Sequence, residues 1–122
     1  GNTIRKIDTE GIISTIAGRG EKGYTGDGED AKYALLNGPK AIRCENDGNI
    51  LVVDTENHAL RISYRENNII DTIAGGTLGS GGDGGPSTMA GLARPHGVVT
   101  GLSGTIYIAD SENHRIRTIY YQ

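Results

Sequence analysis

The five residues Asp54-Thr55-Glu56-Asn57-His58 return as Asp110-Ser111-Glu112-Asn113-His114, 56 residues further on (54 to 110). Without a gap, residues 26–66 lie over 82–122, and Gly26-Asp27-Gly28, Ala34, Leu36, Pro39, Gly48, Ile50, Arg61 and Tyr64 all recur. The period also runs backwards: Ile4-Arg5 precedes Leu60-Arg61 by one repeat, and Thr15-Ile16-Ala17-Gly18 returns one residue late as Thr72-Ile73-Ala74-Gly75. Self-similarity at a fixed spacing of this size marks a solenoid, an array or a propeller. Each unit buries its apolar face against its neighbours, so about three are normally needed for a stable stack. The 122 residues hold little more than two. The sequence therefore predicts either assembly of several chains or a place within a longer polypeptide.

Twenty glycines, with no Trp or Phe, describe a chain of many tight turns whose core must come from Ile, Val, Leu and Tyr, which favours strands. A net charge of −3 argues against a nucleic-acid partner, which calls for Lys and Arg clustered on one face. Arg5, Arg61 and Arg117 recur once per repeat instead, as structural ion pairs would. The single Cys44 is replaced by Thr100 in the next copy and reads as a strand residue without redox meaning. No apolar run approaches the roughly 18 residues of a membrane helix, so no membrane partner is expected.

Read in order, Ile-rich runs at 3–7 and 12–17 are separated by Asp8-Thr9-Glu10-Gly11, a polar segment that can close a hairpin. Residues 18–37 open with too many glycines for regular structure. Their second half, Asp30-Ala-Lys-Tyr-Ala-Leu-Leu, predicts about two helical turns with Asp27 or Asp30 as N-cap and Asn37-Gly38-Pro39 as the stop. Four strands follow at 41–44, 50–53, 59–64 and 69–74. The consecutive apolar residues Ile50-Leu-Val-Val predict a strand buried on both faces. The pattern then repeats: a loop at 75–85, a short helix over about 87–92, and strands near Val98, over 105–109 and over 115–120. Segments 1–38, 39–75 and 76–122 thus read as the last two strands of one blade with a connecting loop, one complete blade, and a loop with the first three strands of another.

Four-stranded antiparallel meanders at a regular period resemble β-propeller blades. Pro39, then Asp47-Gly-Asn-Ile-Leu-Val-Val-Asp-Thr-Glu-Asn-His-Ala-Leu-Arg-Ile, closing with Ile69-Ile-Asp-Thr-Ile-Ala-Gly, resembles the NHL repeat. The second copy, Arg94-Pro-His-Gly-Val-Val with Gly104-Thr-Ile-Tyr-Ile-Ala-Asp-Ser-Glu-Asn-His-Arg-Ile-Arg, resembles it more closely still. The resemblance covers essentially the whole chain and implies an all-β propeller, typically six-bladed. Most members of the family are platforms for protein, peptide, carbohydrate or RNA partners, while similar propellers serve as metal-assisted lactonases and lyases. The expected function is binding or scaffolding through the loop face or channel mouth, without catalysis; the alternative is part of a lactonase-like hydrolase or lyase with a metal in the channel. Two blades per chain predict a homotrimer closing a six-bladed ring head to tail, or the missing blades on a longer parent chain.

Within each copy, Asp54, Asn57, His58 and Arg61, and Asp110, Asn113, His114 and Arg117, read as a structural repeat signature. The Asp accepts N–H groups of its own turn, the Asn takes a left-handed conformation and the His packs on the following strand. A catalytic site needs only one copy, so a signature in every repeat points to scaffold. Asp27 and Asp83, in glycine-rich loops, brace the loop or cap the short helix; a Ca²⁺ ion there is a weak alternative, since the oxygen ligands of a calcium loop are not present at their fixed spacing. Lys40 and His96 share the position just after Pro39 and Pro95, at the channel mouth. There they read first as ordinary solvated rim residues, with no cofactor expected; an anion, or a Zn²⁺ held by three copies of His96, are the alternatives. Residues 18–38 and 75–94 are expected on the same face as the Asn-His turns, with Tyr24, Lys22, Glu21 and Thr77 as exposed contacts.

Overall fold

A computed structural model describes residues 1–120; residues 121 and 122, at the end of the third segment, lie outside the described residues. It is all-β. Strands β1 (Ile4–Ile7) and β2 (Ile13–Ala17) form an antiparallel hairpin, and Asp8 Oδ1 accepts the N–H groups of Glu10 and Ile12 to set its turn. The short β3 (Glu29–Asp30) precedes the central meander of β4 (Ala41–Cys44), β5 (Ile50–Asp54), β6 (Ala59–Ser63) and β7 (Ile69–Gly75). Together they make one sheet in the order β3-β7-β6-β5-β4, so the loop before the blade supplies the strand outside its last one. A second meander holds β8 (Gly97–Thr100), β9 (Ile106–Asp110) and β10 (Arg115–Ile119).

The three sheets stack on two apolar layers. Ile4, Ala17, Ala31, Ala34 and Leu36 pack against Val52 and Ile70 of the central sheet. Its other face, Leu51, Val53, Leu60 and Ile62, meets Val98, Ile106 and Ile108 of the next sheet. That sandwich explains the unbroken apolar run in β5: Leu51, Val52 and Val53 are all fully buried, each facing one layer or the other. In β9, the equivalent strand, burial alternates: Ile106 and Ile108 are buried and Tyr107 is exposed, because the described residues cover only one side of it.

The helices expected over 30–36 and 87–92 are single 3₁₀ turns, Ala31–Tyr33 and Ser87–Met89. Asp30 caps the first, accepting from the Lys32 N–H, but Leu35 and Leu36 then run extended to bridge Thr25 and Lys22. Burying Ala31, Ala34 and Leu36 against the neighbouring strands outweighs helix propensity here. The two fourth strands share one irregularity. Arg61 lies opposite Thr72 and Leu60 opposite Ala74, so one residue bulges out, and β1 and β2 repeat this with Arg5 opposite Thr15 and Ile4 opposite Ala17. The segment Thr72–Gly75 lies one residue late in the repeat because the turn before it is longer: five residues separate the paired Ile7 and Ile13, and six separate the paired Ser63 and Ile70.

Candidate functional site

Each repeat signature closes a buried polar bolt. Asp54 ends β5, the turn Thr55–Asn57 follows, and His58 in a left-handed conformation (φ 55°) starts β6. Asp54 Oδ1 accepts the Asn37 N–H at 2.8 Å, while Oδ2 accepts the Asn57 amide at 2.8 Å and Arg61 Nη1 at 3.2 Å. The Asn57 amide also reaches the Gly23 carbonyl at 2.7 Å. Arg61, fully buried, donates to the carbonyls of Leu35 and Thr25 and to Asp27 Oδ1.

The second copy repeats the same partners, with Arg117 reaching Asp83 through Nε where Arg61 reaches Asp27 through Nη2. Asp110 takes the Ala93 N–H, the Asn113 amide and Arg117, and Arg117 donates to the carbonyls of Gly91 and Gly81 and to Asp83. Every group in the bolt is engaged, apart from Arg61 Nε, which has no partner among the described residues. Burial pushes the Asp54 carboxyl above the ordinary carboxylate range, against the opposing pull of the Asn37 N–H, Asn57 and Arg61. A carboxyl raised in the folded state favours folding more as pH falls than at neutrality. The ionised pair therefore fixes the loop's register more than it adds net stability, as is common for buried ion pairs.

Three details of the signature differ from the sequence expectation. The aspartates accept N–H groups from the preceding loop, 17 residues away, rather than from their own turn. The left-handed residue is the histidine, not the asparagine. And His58 does not simply pack on its strand: its Nδ1 accepts the Arg94 N–H at 3.0 Å, tying one repeat to the next. Asn2, one repeat earlier and also left-handed (φ 63°), does the same work with Oδ1, accepting the Gly38 N–H at 2.8 Å. His58→Asn is therefore expected to keep stability within about 0.5 kcal/mol of wild type, since Asn tolerates the conformation and supplies the acceptor. His58→Ala should lose about 1–3 kcal/mol by orphaning the Arg94 N–H and straining the turn. Urea unfolding of the two variants checks this pair.

The groups left over form a charged rim where the repeats meet. Arg94 grips Glu56 through Nε at 3.1 Å and Nη2 at 2.9 Å and lies 3.7 Å from Glu112, so the same guanidinium touches the signature glutamates of both copies. These side chains stay part-exposed, at 38% for Arg94, 37% for Glu56 and 56% for Glu112. Lys40 and His96 are exposed beside them, their N–H groups bonded to the carbonyls of Val53 and Ala109. His96 Nδ1 lies 2.8 Å from the Arg94 carbonyl. Below the rim, Thr55 Oγ1 donates to the buried Pro95 carbonyl at 2.8 Å.

The hydrogen bonds from Arg94 hold the Glu56 carboxyl below the usual glutamate range. A depressed carboxyl favours folding above its unfolded value and ceases to do so as pH falls through the folded one. In an NMR titration Glu56 is expected to protonate at lower pH than an isolated glutamate, and Arg94→Met should move it back up; identical titration in both proteins would contradict the pairing.

The other sequence candidates fall elsewhere. Tyr24 lies over the Arg61 guanidinium, its hydroxyl 2.6 Å from Thr72 Oγ1, and burial raises its phenol above the usual range. Asp27 holds Arg61 and Thr72, and Asp83 holds Arg115 and Arg117. Glu21, Lys22 and Thr77 are exposed on the glycine-rich loops, with Glu21 paired to Arg19. Among the described residues no three His, Cys, Asp or Glu side chains group as a metal site. The rim arginine and its two glutamates escaped the sequence reading. The available signal was Glu56 and Glu112 recurring inside the signature with no structural task assigned to them.

Residues 92–119, from the loop through β8, β9 and β10, match the family model of the NHL repeat. The chain carries an NHL repeat. Over 126 residues this NHL chain is 33% identical to Protein SUPPRESSOR OF QUENCHING 1, chloroplastic, of Arabidopsis thaliana, a match covering 97% of the chain but only 12% of that protein. A Bacteroides thetaiotaomicron protein of unknown function shares the fold with a TM-score of 0.81 at 21% identity, over 96% of this chain and 29% of its own. An auxiliary nutrient binding protein from the same organism does so with a TM-score of 0.74 at 24% identity, over 93% and 31%. The NHL chain thus spans a small part of its curated relative and less than a third of either solved neighbour.

Proposed function

We propose that this NHL unit is a non-catalytic binding platform whose contact surface is the rim of Lys40, Glu56, Arg94, His96 and Glu112. One observation carries the reading: the signature Asp and Arg, and Asn57 and Asn113, spend their bonds inside the scaffold, whereas the rim charges remain open to solvent. Alternating cationic and anionic groups on a rigid base suit a polar partner carrying both charges, such as a peptide backbone terminus or a zwitterionic metabolite. A panel of short peptides and amino acids, followed by backbone NMR, tests it. The rim reading expects shifts confined to residues 38–40, 56–58, 94–96 and 112–114, lost in Arg94→Glu; shifts centred on the glycine-rich loops, and unaffected by Arg94→Glu, would overturn it.

The platform is proposed to sit in a six-bladed ring. The remaining blades come from two further copies of this chain or from further repeats on one polypeptide. A native mass of 38.7 kDa, three times 12.9 kDa, supports the homotrimer, and 12.9 kDa contradicts it.

A further inference from the structure

We propose that Arg94 reads the carboxylate of a free α-amino acid, whose ammonium group goes to Glu112. The inference rests on the rim as the binding surface and names what it binds. Its starting point is a backbone conformation. Arg94 is left-handed, at φ 44°, a region that residues with a Cβ enter at a cost, and strained residues of this kind cluster at ligand-binding positions. One repeat earlier the same position is Gly38, at φ 63°, where the conformation is free of that cost. Both repeats anchor the N–H of this residue in the same way, Gly38 to Asn2 Oδ1 and Arg94 to His58 Nδ1. The guanidinium is therefore an addition to a turn that works without a side chain.

That guanidinium is held with one edge used and one edge open. Nε and Nη2 face Glu56 at 3.1 and 2.9 Å. Nη1 makes no hydrogen bond among the described residues, and Glu112 Oε2 stands 3.7 Å from it, beyond hydrogen-bond length. The root of the side chain is fixed as well. A carbonyl only accepts, so His96 Nδ1 donates to the Arg94 carbonyl at 2.8 Å, while His58 Nδ1 accepts the Arg94 N–H. The Nη1–Nη2 edge is thus a preorganised fork of the kind that takes a carboxylate through two parallel bonds.

Charge then selects the ligand. A simple anion on this fork lies beside Glu56 and Glu112, two carboxylates that repel it, and a simple cation faces Arg94 and Lys40. A ligand with both charges escapes both penalties. Its carboxylate takes the Nη1–Nη2 edge, and its ammonium takes the Glu112 carboxylate that the 3.7 Å gap leaves unbonded to Arg94. So short a gap requires the two charges to sit close together, as on one α-carbon. A peptide terminus carries one of them and not the other.

The test titrates the whole chain with L-alanine and follows its backbone amides by NMR. Saturable shifts are expected at 94–96 and 112–114. N-acetylalanine lacks the ammonium and alaninamide lacks the carboxylate, so each should bind about tenfold more weakly or worse. The same loss is expected for alanine on Arg94→Lys, which keeps the charge and the left-handed turn but not the fork. Arg94→Gly adds a readout that a structural clamp would not give: binding is lost, while the urea midpoint stays at or above that of wild type, because glycine is at ease in this conformation. A lower midpoint for Arg94→Gly, N-acetylalanine binding as well as alanine, or unchanged binding to Arg94→Lys would overturn the proposal. Rim shifts from peptides with none from alanine would also overturn it and leave the platform reading standing; no rim shift from either would remove both.

Discussion

Arg61→Ala is expected to lower the stability of the chain by about 3–5 kcal/mol, the range found when one partner of a buried ion pair is removed. The substitution leaves the fully buried Asp54 without its cation and strips donors from the carbonyls of Leu35 and Thr25. It also releases Asp27, which positions Thr72, so the loop and the last strand of the blade lose their common anchor. Arg117→Ala should cost a comparable amount, because it orphans Asp110, which is likewise fully buried, while its other partner Asp83, 69% exposed, can rehydrate. Urea denaturation followed by circular dichroism gives both values. An Arg61→Ala protein within about 0.5 kcal/mol of wild type, the usual range for an unremarkable surface change, would contradict the bolt.

Gly75→Val carries the other large expected effect. A β-branched residue at φ 72° is a true conformational outlier, with a strain of about 1–3 kcal/mol. The added Cβ also has no room beside the His58 carbonyl and Leu92, and overpacking of this kind costs about 1–3 kcal/mol more. Gly11→Ala separates the two contributions. Gly11 shares the positive φ, at 82°, but a Cβ there meets nothing within 4 Å, so only the conformational cost of about 1–2 kcal/mol should appear. If both variants lost the same amount, the close approach at Gly75 would carry no weight in the fold.

The strands were legible because the repeat imposes two independent constraints on each of them. Ile50–Val53 and Ile106–Ala109 had to be the same strand, and the unbroken apolar run of the first already implied a sheet between two others. The short turns were not legible, because Ala-Lys-Tyr-Ala-Leu-Leu has the composition of a helix and only its packing against Ala17 and Val52 decides otherwise. The site was less legible than the fold for a different reason. A carboxylate, an amide, an imidazole and a guanidinium in one motif read alike whether they face a ligand or bond one another. Here the Asp partners lie 17 residues upstream and the imidazole partner lies 36 residues downstream, on segments that the local sequence does not bring near. Asn2 standing in register with His58 and His114 was the clue, since Asn and His share both a tolerance of left-handed backbone and a hydrogen-bond acceptor.

The most direct measurement on the scaffold role of the signature is native-state hydrogen exchange of two loop amides, Asn37 and Ala93. Each donates to one signature carboxylate, at 2.8 Å in both copies. If Asp54 and Asp110 are bolts, these amides exchange as slowly as the strand amides of β5 and β9, through opening of the whole blade. If they exchange at the rate of open loop, the carboxylates are free in solution, and the signature would have to be reconsidered as the site of chemistry rather than its support.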